Sequence, residues 1–499
     1  MSEPQDKIKT GLILLMLTAG AVMAHGYHPY AEDAEIYLPG VEKILNPGLF
    51  PVGKEFFQSH ASMTLFPNLV AASLRVLHLP LEAGLMAWHV ASIFLLLLAC
   101  WQLSGILFRS ERARWGAVSL IAALLTIPVA ATALYIMDQY LNPRNLAAFA
   151  VIFAVTRTLE KKYLWALLWL VFAASVHPMM WTFGLSFCCL LVAVEKWDRR
   201  KNPSALPITS RAAAGLGFLF PLGISLDPPS SRAYHEAALL HGNHYIQRWQ
   251  WYEDLGIFAP IALFWWFGRM ARERGWSELD RVCRALIVYD IIFFCAALIV
   301  DLPPQFESLA RLQPLRSLHL LYIVMFIILG GFLGEFVLKN RVWCWLALFV
   351  PLGTGMFAAQ RALFPASAQV EWPGTAPRNP WAQAFLWIRQ NAPKNAVFAL
   401  DPNYMHIDGE DEIGFRAMTQ RSRLADAIKD NGVVSMFPSL ADAWWEQVQA
   451  ESPWKSFQAA DFARLRAAYG VDWIVLEQPG VSGIDCQYQN AAVRACRLP

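Results

Sequence analysis

Apolar residues in this chain fall in long blocks and not in short alternating runs. Blocks at 10 to 24, 84 to 108, 115 to 137, 143 to 158, 163 to 176, 179 to 194, 211 to 226, 255 to 269, 282 to 300, 315 to 338 and 342 to 360 predict helices. A bilayer core of about 30 Å takes roughly 20 apolar helical residues, fewer where neighbours shield the helix, so the pattern predicts about eleven membrane spans. Only His177-Pro178 separates the fifth block from the sixth. Proline cannot continue a helix through its missing N–H, which predicts a tight helical hairpin there. One long kinked helix is the alternative, and it would invert every later span. The first block, with Lys7 and Lys9 before it and Val22-Met23-Ala24 after it, reads as a span or as a cleaved signal peptide.

Charge gives the spans a direction. With the N-terminus inside, the cytoplasmic ends carry twenty Lys and Arg, among them Arg109, Arg112, Arg114, Lys161, Arg199 and Arg284, against eight on outer segments before residue 361. The positive-inside rule then holds in every loop, but only if the hairpin is real. The same orientation puts the histidines at or near the outer side.

From about Phe364 the apolar blocks stop. Pro365, Pro373, Pro377 and Pro380 lead into sequence of soluble character. This divides the chain into a multi-span part, 1 to 364, and a small extracytoplasmic α/β domain, 365 to 499. In the latter, helices are expected near 380 to 391, 438 to 450 and 459 to 469, with strands at 397 to 400 and 472 to 476. The end, CQYQNAAVRACRL, alternates like two strands turning near Asn490, which sets Cys486 opposite Cys496. An oxidising compartment would join them; otherwise they are two free thiols. The other six of the eight Cys lie in apolar stretches and read as small buried hydrophobes.

Composition agrees with the blocks: 56% of the 499 residues are hydrophobic, above the usual globular fraction of about 45–50%. A formal net charge of +2, without a basic stripe, argues against a nucleic-acid partner. There is no phosphate-binding glycine loop, no G-x-S-x-G and no CxxC pair, so ATP-driven transport and soluble hydrolase chemistry are unsupported.

Candidate chemistry begins in the outer loop 25 to 83. Glu32, Asp33 and Glu35 crowd the sequence directly after the first span. Three acids at a membrane surface repel, so one should have a raised pKa or need a cation, which suits general-base work or a divalent cation. A solvated acidic turn is the plain alternative. Asp138, at the outer end of the third block, is a second carboxylate. Arg144, Arg311 and Arg316 fall at outer span ends, where an arginine commonly snorkels to headgroups. The loop 227 to 254 holds His235, Glu236, His241 and His244 among aromatic residues. A zinc site lacks a complete ligand set there, and an interfacial segment with a polar face towards substrate is the better reading, with His177 on the same side.

The segment DAEIY resembles the motif of the GT-C superfamily of membrane glycosyltransferases, in which an Asp in the loop after the first span is followed four residues later by Tyr. Asp33 and Tyr37 match that spacing. Position 34 is Ala where the family often has Glu, so Glu32 or Glu35 would have to supply the second acid. The resemblance implies a polyprenyl-phosphate-linked sugar as donor, with Asp33 as the base or orienting group for an acceptor hydroxyl, Tyr37 near the substrate, and Arg144, Arg311 and Arg316 placed to hold the leaving phosphate through bidentate contacts. EDAEIYLPGVEKILNPGLFP and IKDNGVVSMFPSLADAWWE also resemble a bacterial multi-span membrane-protein family of unassigned function, which implies no reaction. A polar tail stretch, DPNYMHIDGEDEIGFRAMTQRSRLADAIKDNG, reads as a solvated surface or as a cover that binds an acceptor. The functions in play are therefore a glycosyl transferase at the outer face, a transporter or flippase, and a non-catalytic scaffold of the same fold. No inverted repeat and few charges within spans weigh against the transporter.

Overall fold

The computed structural model describes residues 4–201, 231–300, 309–407 and 411–499. The expected span 211 to 226 lies outside the described residues. The membrane part comprises α1 (Pro4–His25), α2 (Ala34–Leu45), α3 (Glu55–Met63), α4 (Phe66–Leu77), α5 (Leu81–Leu107), α6 (Glu111–Ala123) and α7 (Pro143–Leu159). It continues with α8 (Tyr163–Val176), α9 (Pro178–Lys201), α10 (Arg232–Leu240), α11 (Trp251–Glu273), α12 (Ser277–Val300), α13 (Leu318–Phe332) and α14 (Val342–Leu363). Six helical segments among the described residues are long and apolar enough to cross a membrane: those of α1, α5, α9, α12 and α14, and Leu309–Leu338, which contains α13. The chain is a multi-pass membrane protein.

The reversal at His177-Pro178 is visible in the packing. α8 lies beside α7, with the Trp169 and Phe153 rings 4.7 Å apart. α9 then returns along α7: a Cβ on Gly184 would come within 2.8 Å of Val151. At the far end Lys161 Nζ lies 3.1 Å from Glu195. Small residues bring α6 and α13 equally close, since a Cβ on Gly116 would meet the Gly330 carbonyl oxygen at 2.3 Å. Packing of this kind stands in for the hydrophobic effect where the solvent is lipid.

The block 115 to 137 is not one helix. α6 ends at Ala123, and residues 124–142 run as buried irregular chain into α7. Its backbone groups find partners within the protein, Met137 N on Leu125 O at 2.8 Å and Val129 N on Leu134 O at 2.8 Å. Pro128 breaks helical pairing, and Ala130 and Ala133 take positive φ (47° and 54°). Hydropathy reads burial and not helicity, and non-helical backbone at such depth is tolerated where it is covered by protein or lines a cavity.

The tail contains α15 (Pro380–Asn391), β1 (Val397–Leu400), α16 (Phe415–Thr419), β2 (Ser422–Arg423), α17 (Asp430–Met436), α18 (Ala441–Glu451), α19 (Ala459–Tyr469), β3 (Trp473–Glu477), β4 (Cys486–Gln489) and β5 (Val493–Arg497). One sheet orders them β2-β1-β3-β5-β4. β1 is parallel to both β2 and β3, and β5 is antiparallel to β3 and β4. Cys486 faces Cys496 in the terminal hairpin and is joined to it by a disulfide. The tail packs on the membrane part through one continuous apolar core. Backbone bonds cross the junction, Glu32 N to Glu412 O at 2.8 Å and Gly414 N to Tyr30 O at 2.7 Å.

Candidate functional site

A cavity of about 690 Å³ opens where the tail meets the membrane part. Its floor is the start of α2, the irregular segment 124–142, the first residues of α7 and the His177-Pro178 reversal. Its roof is the tail. β1 and β2 run parallel, and the loops that leave their carboxyl ends supply Asn403, His406, Ala427, Ile428 and Lys429 to the wall. Ligands gather at the carboxyl ends of parallel strands for the same topological reason in open α/β sheets.

Of the residues singled out in the sequence, Glu32, Asp33, Tyr37, Asp138, Arg144, His177, His244 and Arg316 line this cavity. Glu35, Arg311 and His235 do not. Glu35 lies two residues beyond Asp33, which at about 3.6 residues per turn puts it on the other side of the helix, fully buried, to meet Arg416 Nη1 at 3.4 Å and the Ala417 backbone N–H at 3.2 Å. Arg311 lies outside the wall. His235 sits on the exposed side of α10.

The acidic cluster is completed from the tail. Lys429 Nζ bonds Glu32 and lies 3.6 Å from Asp33 and 3.6 Å from Glu412. Glu32 itself takes φ 56°, left-handed backbone that a non-glycine residue occupies only where its surroundings hold it. Burial opposes ionisation of Asp33, but Lys429, Arg144 and Arg316 more than offset it and keep its pKa below the usual carboxylate value. Burial and the neighbouring Glu32 push Glu412 up to about 7. The Lys429 ammonium thus stands where the carboxylates would hold a divalent cation. Among the described residues no group of three His, Cys, Asp or Glu side chains is arranged for a metal ion. The residues as placed do not fit a metal, and no step is derived through one.

Lys429 is held by a buried lattice of charges. Asp426 accepts from the Ile428, Lys429 and Asp430 backbone N–H groups, fixing the turn that carries it. Asp430 pairs bidentately with Arg416, at 2.9 and 2.7 Å, and Arg416 in turn reaches Glu35. Asp33 and Glu35, at the start of α2, and the adjacent residues Lys429 and Asp430 therefore interlock, one pair facing the cavity and the other joined through Arg416 in the core.

On the opposite wall Arg144 is committed to Asp138, with Nη2 at 2.6 Å and Nε at 3.2 Å from the same oxygen. Asn142 donates to that oxygen at 2.5 Å, while its own side-chain oxygen caps α7. Arg316 has no carboxylate partner among the described residues, and its buried Nε makes no hydrogen bond. His60 and His241, also on the wall, are lowered to about 4 by burial and are neutral imidazoles at pH 7. The His241 and His244 rings stack at 4.9 Å. Lys429 and His60 were missed by sequence reasoning. Nothing local distinguishes a lysine in a polar stretch or a histidine in a surface helix, although Lys429 does fall within the quoted segment IKDNG.

No protein-family model matches this chain, and no curated protein matches it in sequence. Solved structures do. The oligosaccharyltransferase of Archaeoglobus fulgidus, tethered to an acceptor peptide containing an NVT sequon, superposes with a TM-score of 0.50 at 11% identity, over 94% of this chain and 69% of that one. This chain has a GT-C-like fold. The archaeal oligosaccharyltransferase AglB from the same organism, in complex with an inhibitory peptide and a dolichol-phosphate, matches with a TM-score of 0.47 at 12% identity, over 94% and 70% of the two chains. At such identity it is the fold that is shared.

Proposed function

We propose that the chain transfers a glycosyl group from a polyprenyl-phosphate-linked donor to a hydroxyl-bearing acceptor within this cavity, at the extracytoplasmic face of the inner membrane. One observation carries the reading: four separate segments of chain bring Asp33, the Asp138–Arg144 pair, Arg316 and Lys429 to one cavity between membrane helices and tail. The acceptor oxygen attacks the anomeric carbon and the bond from that carbon to the phosphate oxygen breaks. The phosphate leaves with the electron pair, and the acceptor proton passes to Asp33. Lys429 keeps Asp33 ionised to receive it. Arg316 faces the leaving phosphate, and the neutral histidines and Tyr37 are hydrogen-bonding groups for sugar hydroxyls. The GT-C-like fold supports this reading by analogy.

The placement rests on charge and redox chemistry. Basic residues concentrate at the ends of the bundle away from the cavity. The Cys486–Cys496 disulfide belongs in an oxidising compartment. Both support a reading with the N-terminus inside and the tail outside.

The test is complementation. Cells lacking the chain should accumulate a polyprenyl-phosphate-linked sugar, and the wild-type gene should clear it. Asp33→Asn, at normal membrane abundance, should lower transfer by at least about 10²-fold. Wild-type transfer by that variant would remove Asp33 from the mechanism, and no change in lipid-linked sugars on deletion would refute the activity.

A further inference from the structure

The charged groups on the cavity wall form an account that nearly closes. Among the described residues, Glu32, Asp33 and Asp138 oppose Arg144, Arg316 and Lys429, three formal charges of each sign. Two of the cations are already committed. Arg144 spends both contacting nitrogens on Asp138, with both side chains buried. Lys429 is shared by Glu32, Asp33 and Glu412. Arg316 alone among these cations has neither an ion pair nor a partner for its buried Nε.

A lipid joined to a sugar through one phosphate is a phosphodiester with a single negative charge; a pyrophosphate link carries two. The first charge meets the open guanidinium of Arg316. A second would have to be met by breaking the Asp138–Arg144 pair or by drawing Lys429 off the carboxylates, in a buried site where separated charges are costly. The volume of about 690 Å³ is that of a small-ligand pocket, enough for a sugar ring, one phosphate and an acceptor group.

We propose that the donor carries a single phosphate between lipid and sugar, that the cavity discriminates against the pyrophosphate-linked form, and that Arg316 sets this selectivity. The inference rests on the glycosyl-transfer reading above and narrows its substrate.

The full chain in lipid nanodiscs should be offered the methyl esters of polyprenyl monophosphate and polyprenyl pyrophosphate, and the uncharged polyprenol, with bound lipid quantified by native mass spectrometry. Capped in this way the two phosphate probes carry one and two negative charges, as the two donor classes do. The monophosphate should bind at least about tenfold more tightly than the pyrophosphate, with or without magnesium; this corresponds to about 1.4 kcal/mol. Arg316→Gln should abolish the preference, and Arg316→Lys, which keeps the charge without the planar fork, should restore part of it. Equal or tighter binding of the pyrophosphate in either condition, or an unchanged preference in Arg316→Gln, overturns the proposal while leaving a lipid-phosphate donor standing. If neither phosphate outcompetes polyprenol, the donor reading falls with it.

Discussion

The two ends of the helix bundle use the same residue types in opposite ways. At the end away from the cavity, acids and bases pair in the open: Arg284 Nη2 lies 2.6 Å from Asp198 with both side chains about a third exposed, and Lys161 Nζ lies 3.1 Å from Glu195 with half of the lysine in solvent. At the cavity end, Arg416 and Asp430 meet at 2.7 Å with almost no exposure, and Asp138 and Arg144 are nearly as deep. Exposed pairs trade water for one another at little net gain, whereas a buried pair that loses one member leaves a charge with no solvent to receive it. One end keeps its charges partly in solvent. The other holds a site together.

The largest test of this contrast is Arg416→Met, which strands Asp430 and Glu35 in the core beneath the cavity. It should cost about 3–5 kcal/mol in the docking of the tail, measured by thermal or denaturant unfolding of the full chain. Unaltered unfolding would mean that the buried lattice does not support the site. Next, Lys429→Met removes the cation shared by Glu32, Asp33 and Glu412. The acid limb of the pH–rate profile should then move up by about one unit or more, as the Asp33 carboxyl loses its main counter-charge. A profile that stays in place would separate Asp33 from the titration.

A smaller effect is expected from pH alone. Burial pushes Glu35 from 4.5 up to about 7, and Asp430 up to about 6. A carboxyl whose folded pKa lies above its unfolded value binds its proton more tightly when folded, so it favours the folded state below the unfolded pKa and loses that contribution as pH rises through the folded one. The melting temperature should therefore fall between about pH 4.5 and about pH 7, and Glu35→Gln should flatten part of that slope. A melting temperature that rises over this interval, equally in both proteins, would contradict it. Smallest of all, Arg284→Gln at the other end should change stability by no more than about 1 kcal/mol. A loss as large as that of Arg416→Met would erase the distinction between the two ends.

Patterns that depend on near neighbours were legible in the chain itself. The helices of α5, α9, α12 and α14, the reversal at His177-Pro178 and the terminal hairpin with its paired cysteines all follow from periodicity, proline chemistry and alternation, which act over a few residues. The match of Asp33 and Tyr37 to the GT-C motif pointed to the wall that both now line. The segment 124–142 was not legible, because its residues are as apolar as a helix while its backbone groups pair irregularly, partly within the segment and partly with distant chain such as the His28 N–H on Gln139 O. Nor were the separate fates of Glu32, Asp33 and Glu35. These lie within one turn of chain, and which of them faces the cavity depends on Lys429 and Arg416, nearly 400 residues away. Composition and order thus determined a set of membrane helices and a small C-terminal sheet. Which charges oppose one another, and which guanidinium is left open to a ligand, was decided only when the tail folded back over α2, because ion pairing depends on distance in space and not along the chain.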